Sequence, residues 1–313
     1  MRGGPSFEEL VRTRATGVAF VPLLEEIAPR VDGGTRAETT ADPTLWATSI
    51  ERAAALVGAD AVTIGWDESI LAEACGVPIR WEDDRPVLGG PPPSLRPAAK
   101  ASGRVPAFLE TARRLAATAR HERGCLVALP GPASLAERVL GPAVDRQSLA
   151  ALKSILVGVA EAICQSRPDG LALVENGGLK VSSPEIRRIY ATLRNVADHY
   201  GVAMVLYVEG YEDLGSATAT AASLKIGHLM VGPNHAGLSP DPAAVVRAAA
   251  DLASVAVPLP LRDAETALLG ALAALEAARS RPAVYFTTPG PIPRHSDIGL
   301  LREVGEAVRA IVH

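Results

Sequence analysis

The segment 170–210 decides the fold class of this chain. It begins with GLALVEN (170–176), continues through PEIRRIYATLRNVADHY (184–200) and ends with AMVLYVEG (203–210). The two outer runs are short and apolar, whereas the middle run repeats apolar residues at helical spacing. A strand, a helix and a second strand in this order predict a β-α-β unit with parallel strands.

The same alternation recurs along the rest of the chain. Further strands are predicted at 17–24, 60–67, 125–131, 228–234, 255–261 and 283–290. Helices are predicted at 42–57 (with Asp42 and Pro43 as its start), 69–75, 106–120, near 134, and at 149–166, 217–223, 242–254, 264–279 and 298–312. No GxGxxG follows the first two strands, so a dinucleotide-binding open sheet is disfavoured. We therefore predict one α/β domain over residues 1–313, a (β/α)8 TIM barrel.

Residues 77–103 interrupt this alternation. They contain PIRWEDDRPVL (78–88), which is typical of a hairpin, and the proline-rich run GGPPPSLRP (89–97). Because strands and helices alternate again afterwards, we interpret 77–103 as an insertion after the second unit and not as a domain boundary.

Composition limits the classes of partner. Aromatic residues make up 4% of the chain and the net charge is −4, which disfavours single-stranded nucleic acid and other polyanions. The chain begins without an apolar signal-type segment, and we find no 18-residue apolar run, so no membrane association is expected. Three cysteines without CxxC spacing suggest buried thiols in a cytoplasmic protein. A small-molecule substrate is expected, and a homodimer would be the commonest oligomer.

Polar residues follow most of the predicted strands, where barrel enzymes carry their working groups. We predict catalytic roles for Asp67, Tyr207, Glu209 and His235. Substrate-binding roles are predicted for Trp66, Glu175, Asn176, Asn234, Arg262 and His295.

The acids Asp67, Glu175 and Glu209 leave several interpretations open. Close together in a dry cleft they would raise one another's pKa and serve as general acid or base. They could instead hold a divalent cation through oxygen ligands, although no cofactor and no metal is our first expectation. Each could also cap a helix or pair with a loop arginine.

The basic residues are equally open at this stage. Arg262 could clamp a substrate carboxylate or phosphate, or pair with Asp263 or Glu265. The run GGLKVSS (177–183) could receive an anion at a helix start, although many helix entries have such loops. Loop histidines such as His235 and His295 are more often inert than catalytic, but the strand-end position of His235 favours a role.

Three segments resemble the uroporphyrinogen decarboxylase superfamily, which also includes cobalamin- and corrinoid-linked methyltransferases. LPGPASLAERVLG (129–141) is similar to its Gly-Pro-x-Thr-Leu-Ala segment, and DAVTIGWD (60–67) to the strand that ends in its catalytic aspartate. The stretch 285–311 resembles its last strand, Pro-Gly turn and closing helix. The resemblance extends from about residue 43 to the C-terminus and implies a barrel of this UROD/MetE-like type, with Asp67 as the catalytic aspartate.

The chain also departs from both branches of that superfamily. The decarboxylase carries arginines where this chain reads GVAFVPLLEEIAP (17–29), with acids. The methyltransferases bind zinc through residues whose positions are occupied here by Tyr207, Glu209 and Pro291, so a zinc site is not expected. The resemblance thus implies a lyase, most simply a cofactor-independent decarboxylase of a small carboxylated substrate, in which Asp67 stabilises a cationic substrate or delivers a proton.

Three alternatives to the decarboxylase remain open. One is methyl transfer without zinc. Another is a Mg²⁺-dependent carbon–carbon lyase that uses Asp67, Glu175 and Glu209. The last is a non-catalytic binding barrel whose mouth would be plugged by the segment 91–97.

Overall fold

Eight parallel strands form a nearly closed barrel in the computed structural model, which describes residues 18–92, 94–95, 99–119, 123–141, 146–176, 183–278 and 282–311. The barrel strands are β1 (Phe20–Val21), β2 (Ala61–Ile64), β5 (Gly124–Pro130), β6 (Gly170–Glu175), β7 (Ala203–Val208), β8 (His228–Val231), β9 (Ser254–Pro258) and β10 (Ala283–Thr287). Strands β3 (Ile79–Glu82) and β4 (Arg85–Leu88) form a separate antiparallel pair. The predicted (β/α)8 barrel is confirmed.

The barrel strands follow one another in the order β2, β5, β6, β7, β8, β9, β10 and β1. The remaining gap, between β1 and β2, is bridged by Asp60. Its main-chain N–H donates to the Phe20 carbonyl at 2.8 Å, and its carboxylate accepts the Phe20 N–H at 2.8 Å. A side chain thus takes the place of a regular ladder where β1 is only two residues long.

The helices surround the barrel. They are α1 (Ala28–Val31), α2 (Arg36–Ala41), α3 (Pro43–Val57), α4 (Ser69–Cys75), α5 (Val105–Ala119), α6 (Pro132–Leu140), α7 (Arg146–Gln165), α8 (Pro184–Tyr200), α9 (Leu214–Ser223), α10 (Pro242–Ala248), α11 (Ala264–Ala278) and α12 (Ile298–Ala310). Asp42 caps α3 as predicted, because its carboxylate accepts the amides of Thr44 and Leu45. The prediction of a helix over 242–254 is too long, since the chain must leave α10 and turn before β9 begins at Ser254.

Apolar side chains pack in two layers. Alternate strand residues face the barrel interior, among them Leu126, Val205, Met230 and Tyr285. The other set, with Phe20 and Leu173, packs under the helices. The three cysteines all lie in the described part of the chain, where they are buried and form no disulfide.

Among the described helices, α7 is long and apolar enough to cross a bilayer by length and composition alone. Its residues Leu152, Leu156, Val159 and Ile163 are buried. The helix packs against α8 and β6. An apolar face covered in this way is typical of the core helix of a packed barrel.

The predicted hairpin is present as β3 and β4, with Ile79 opposite Leu88 and Glu82 opposite Arg85. Asp83 and Asp84 form its two-residue turn, with φ of 48° and 61°. Positive φ at both central residues is the geometry that hairpin turns favour, and aspartate tolerates it better than most residues.

Candidate active site at the barrel mouth

The carboxyl ends of the strands form one face, here called the barrel mouth, and Trp66 lies near its centre. The indole ring of Trp66 meets the Tyr207 ring edge-on, with centroids 5.0 Å apart. The Tyr207 hydroxyl donates to Glu209 Oε2 at 3.0 Å. This arrangement needs glycine at position 232, because a Cβ there would lie 2.3 Å from the Tyr207 oxygen. The ends of β2, β7 and β8 therefore converge on Trp66, Tyr207 and Glu209.

Glu209 is partly buried beside this tyrosine. Burial raises the pKa of Glu209, the hydrogen bond from Tyr207 opposes that rise, and the negative charge of Glu68 adds to it. Burial and the neighbouring carboxylate also raise the pKa of Tyr207 well above its ordinary value, so Tyr207 remains a hydrogen-bond donor. A carboxyl group with a raised pKa is suited to proton transfer nearer neutral pH.

Glu25, which was not among the predicted residues, lies in the segment that follows β1 and is only 2% exposed. Its Oε2 accepts the main-chain N–H of Trp66 at 2.6 Å. Its Oε1 is buried and accepts no hydrogen bond from any described residue. Burial raises the pKa of Glu25 to about 7, against the opposing charge of Arg36 and with a further contribution from Asp67. This carboxyl group can therefore gain or lose a proton at neutral pH.

Asp67 is buried, and its carboxylate is fully occupied. Oδ1 accepts the amide and the hydroxyl of Ser69. Oδ2 lies 3.0 Å from an Arg104 nitrogen and 3.2 Å from an Arg36 nitrogen. Burial alone would raise the pKa of Asp67, but the two guanidinium groups hold it below its usual value. Asp67 is an anion at neutral pH, which suits stabilising a positive charge and does not suit delivering a proton.

The hairpin reaches across the mouth beside β1. Asp84 accepts the main-chain N–H of Arg36 at 2.8 Å to each oxygen and forms an ion pair with Arg294. A cavity of about 380 Å³ lies between the hairpin tip and the barrel. On the barrel side it is lined by Glu26, Arg36, Arg294 and His295. The cavity beside the hairpin is therefore open. The segment 91–97 was proposed to plug the mouth, and its residues 93, 96 and 97 lie outside the described residues.

Glu175 has a different environment from the other mouth acids. Its Oε1 accepts the Ala133 amide at 3.1 Å and the Tyr190 hydroxyl, and its Oε2 accepts the Ser134 amide at 2.8 Å and hydroxyl at 2.6 Å. Gly131 allows this contact, since a Cβ there would lie 2.2 Å from the Glu175 carboxyl carbon. The carboxylate joins β6 to the start of α6 and to α8, a helix-capping arrangement.

The other predicted residues lie away from this centre. Asn176 donates its main-chain N–H to Ser134, and the Asn234 side chain accepts the amides of Ala236 and Leu238 within its own loop. His235, Arg262 and His295 are exposed, and only His295 lines the cavity. Of the predicted anion-binding loop, 177–182 lie outside the described residues, and Ser183 caps α8 through the Ile186 amide.

We call Glu25, Trp66, Asp67, Tyr207 and Glu209 the mouth cluster. Within it, the Trp66 amide donates to Glu25, and the Trp66 ring packs on Tyr207, which donates to Glu209. Glu25 directly follows the predicted strand 17–24. Because the predicted site residues were chosen as polar residues that follow strands, Glu25 could have been identified from the sequence in the same way. Arg36 and Arg104 lie at helix starts, and their proximity to Asp67 has no sequence signal.

The donor sets do not match the metal sites considered from sequence. Asp67 is paired with arginines and Glu175 with N–H and O–H donors, so these two carboxylates do not gather with Glu209. No group of three or more His, Cys, Asp and Glu able to hold a metal occurs among the described residues. Tyr207, Glu209 and Pro291 do not supply the sulfur and imidazole ligands that a thiol-activating zinc would need.

No family model matches this chain, and no curated protein matches it. Similar solved structures include a methyltransferase from Methanosarcina mazei, with a TM-score of 0.77, 15% identity and 98% of each chain covered. They also include a B12-independent methionine synthase from Shewanella sp. W3-18-1, with a TM-score of 0.54, 14% identity, and 95% of this chain and 96% of that chain covered. At these identities the likeness establishes the fold: the chain is a (β/α)8 barrel with the architecture found in those two proteins.

Proposed function

We propose that the protein is an enzyme that carries out acid–base chemistry on a small carboxylated molecule at the barrel mouth, most simply a decarboxylation. The observation that carries this proposal is the state of Glu25. It is a buried carboxyl group with a pKa of about 7, and one of its oxygens accepts no hydrogen bond from the part of the chain that the structure describes. Buried groups that titrate near the working pH are concentrated at active sites, because catalysis needs them there.

A protonated carboxyl group of this kind can act as the general acid in a decarboxylation. The bond between the carboxyl carbon and its neighbour breaks, CO2 leaves, and the electron pair remains on the substrate carbon. The protonated Glu25 then gives its proton to that carbon, and water reprotonates Glu25 afterwards. A substrate with a carbonyl or a protonated heteroatom next to the reacting carbon accepts the electron pair, so the sequence of steps balances without an oxidant or reductant.

The other members of the mouth cluster have distinct roles in this proposal. Trp66 and Tyr207 are buried and provide an apolar wall, which disfavours a carboxylate relative to uncharged CO2. Glu209, hydrogen-bonded to Tyr207, is the second proton carrier. Asp67 remains ionised, and because its charge is compensated by Arg36 and Arg104 it acts by holding these two arginines in place.

The proposal is tested by incubating the purified protein with a panel of small β-keto, heterocyclic and aromatic carboxylic acids. CO2 release is measured, together with deuterium uptake at the reacting carbon in heavy water. The Glu25→Gln variant is expected to lose about 100-fold in rate or more, the usual contribution of a general acid. Glu276→Gln, on an exposed face of α11, is the matched control and should keep full activity. A fully active Glu25→Gln enzyme would refute the proposed role.

The second candidate is methyl transfer without zinc, favoured by the similarity to the M. mazei methyltransferase over 98% of both chains. In this case Glu209 would protonate the donor or deprotonate the acceptor. The test is titration calorimetry with a methylated corrinoid and a methylated folate, followed by an assay for methyl loss. If neither the corrinoid nor the folate binds and the protein releases CO2 from one of the carboxylic acids, methyl transfer is excluded and decarboxylation is supported.

A further inference from the structure

We infer that Arg104 is a positioning residue, which holds Asp67 against Arg36 and so fixes the charge around Glu25. This inference rests on the proposed function in one respect, which is the importance of Glu25 for the reaction. Arg104 lies just before α5, outside the strand ends from which the candidate residues were drawn.

The guanidinium of Arg104 has all three of its nitrogens engaged. Nη1 is 3.0 Å from Asp67 Oδ2, Nη2 donates to the Ser69 hydroxyl at 2.7 Å, and Nε donates to Glu73 at 2.8 Å. Ser69 in turn donates to the other oxygen of Asp67. Arg104, Ser69 and Asp67 thus form a closed ring of hydrogen bonds, which fixes the orientation of the Asp67 carboxylate.

Through its contact with Arg36, the oriented Asp67 carboxylate links Arg104 to the surroundings of Glu25. Asp67 Oδ2 contacts both Arg104 and Arg36, and the charges of Arg36 and Asp67 act on Glu25 in opposite directions. Without Arg104, the negative charge of Asp67 would be less compensated, and Glu25 would ionise less readily. The charged groups that adjoin this set are Glu26 and the Asp84 carboxylate at Arg36, and Glu73 at Arg104.

The inserted hairpin holds Arg104 from outside. The guanidinium lies 5.1 Å from the centre of the Trp81 ring, in a cation–π contact. The hairpin tip holds the other arginine of the set, since Asp84 accepts the amide of Arg36. The insertion therefore contacts the network around Glu25 at both of its arginines.

The test is a pH titration of Glu25 by carbon NMR with carboxyl-labelled glutamate, with the signal assigned from Glu25→Gln. Arg104→Gln keeps a polar side chain but removes the charge, and the midpoint of Glu25 should rise by roughly 0.5 to 1 pH unit. The double variant Asp67→Asn with Arg104→Gln removes both charges and should return the midpoint toward the wild-type value. Arg113→Gln, which removes an exposed arginine paired with Glu110 at 2.7 Å on α5, is the control and should leave it unchanged.

The outcomes separate positioning by charge from a role in packing alone. An unchanged midpoint in folded Arg104→Gln would overturn the inference, and so would equal shifts in the single and double variants. If Arg104→Gln does not fold, Arg104→Lys can be used instead, because lysine keeps the charge but cannot make the same three hydrogen bonds in one plane. This variant is then expected to shift the midpoint upward by less than 0.5 pH unit, and no shift would count against the inference.

The titration uses no substrate, so its failure is distinct from a failure of the proposed reaction. If a decarboxylation is found, the ionisation that limits its rate at high pH should move upward in Arg104→Gln by the same amount as the NMR midpoint. A loss of rate with an unmoved pH profile would mean that Arg104 has only a structural role.

Discussion

Glu25 and Glu175 are both buried carboxyl groups at strand ends of the same barrel, but their hydrogen-bond partners differ. Glu175 is 0% exposed and accepts hydrogen bonds from two amides and two hydroxyl groups. Glu25 accepts the Trp66 amide, a weaker backbone hydrogen bond from Gly65 also lowers its pKa, and its Oε1 has no described donor. Burial raises the pKa of both. The supply of donors, and not position or burial, therefore separates a structural carboxylate from one able to exchange protons.

The largest effect expected from this comparison is on stability. Glu175→Ala leaves the amides of Ala133 and Ser134 and the hydroxyl of Tyr190 without their acceptor, and it opens a void. Unpaired buried donors cost about 1 to 3 kcal/mol each, so the free energy of unfolding should fall by roughly 3 kcal/mol or more. Urea denaturation measures this. In Glu25→Gln, which leaves fewer donors unpaired, the free energy of unfolding should fall by clearly less. Equal losses in the two variants would contradict the difference between the two carboxyl groups.

The next effect is a pH dependence of stability that belongs to Glu25. Its folded pKa of about 7 lies above the ordinary value of 4.5, so the folded state binds the proton more tightly. This contribution is fully present below pH 4.5 and is lost as the pH rises through 7. The difference in unfolding free energy between wild type and Glu25→Gln should therefore fall by about 3 kcal/mol across that range. A difference that stays constant with pH would contradict the assigned pKa.

Sequence predicted the barrel because each strand and helix carries its own periodicity, and the hairpin because its turn residues are local. It placed Trp66, Asp67, Tyr207 and Glu209 at the mouth, because parallel strands end at one face. It did not distinguish Glu175 from Glu25, since the donors to Glu175 come from α6 and α8, and only the folded chain brings them together. Arg36 and Arg104 could not be predicted for the same reason.

A smaller effect is expected from the glycine that admits Glu175. A Cβ at Gly131 would lie 2.2 Å from the Glu175 carboxyl carbon, whereas a Cβ at Gly90 would meet nothing within 4 Å. Gly131→Ala should therefore lower the free energy of unfolding by about 2 kcal/mol, in the range of core overpacking. Gly90→Ala is the matched control and should be close to neutral in the same urea experiment.

The smallest effect concerns the hairpin tip. Asp84→Asn removes the charge that pairs with Arg294 and caps the start of α2, and the expected loss is about 1 kcal/mol. Asp83→Asn changes the exposed neighbour in the same turn and should have little effect. Hydrogen exchange at the hairpin amides should accelerate in Asp84→Asn only. Equal exchange in both variants would mean that Asp84 does not hold the tip.

The role of Glu25 as a proton carrier at the barrel mouth can be tested by the carbon NMR titration of Glu25 in the wild-type protein. We expect a midpoint of about 7 for the signal that disappears in Glu25→Gln. A midpoint of about 4 to 5, the ordinary range of an exposed glutamate, would rule out this role for Glu25.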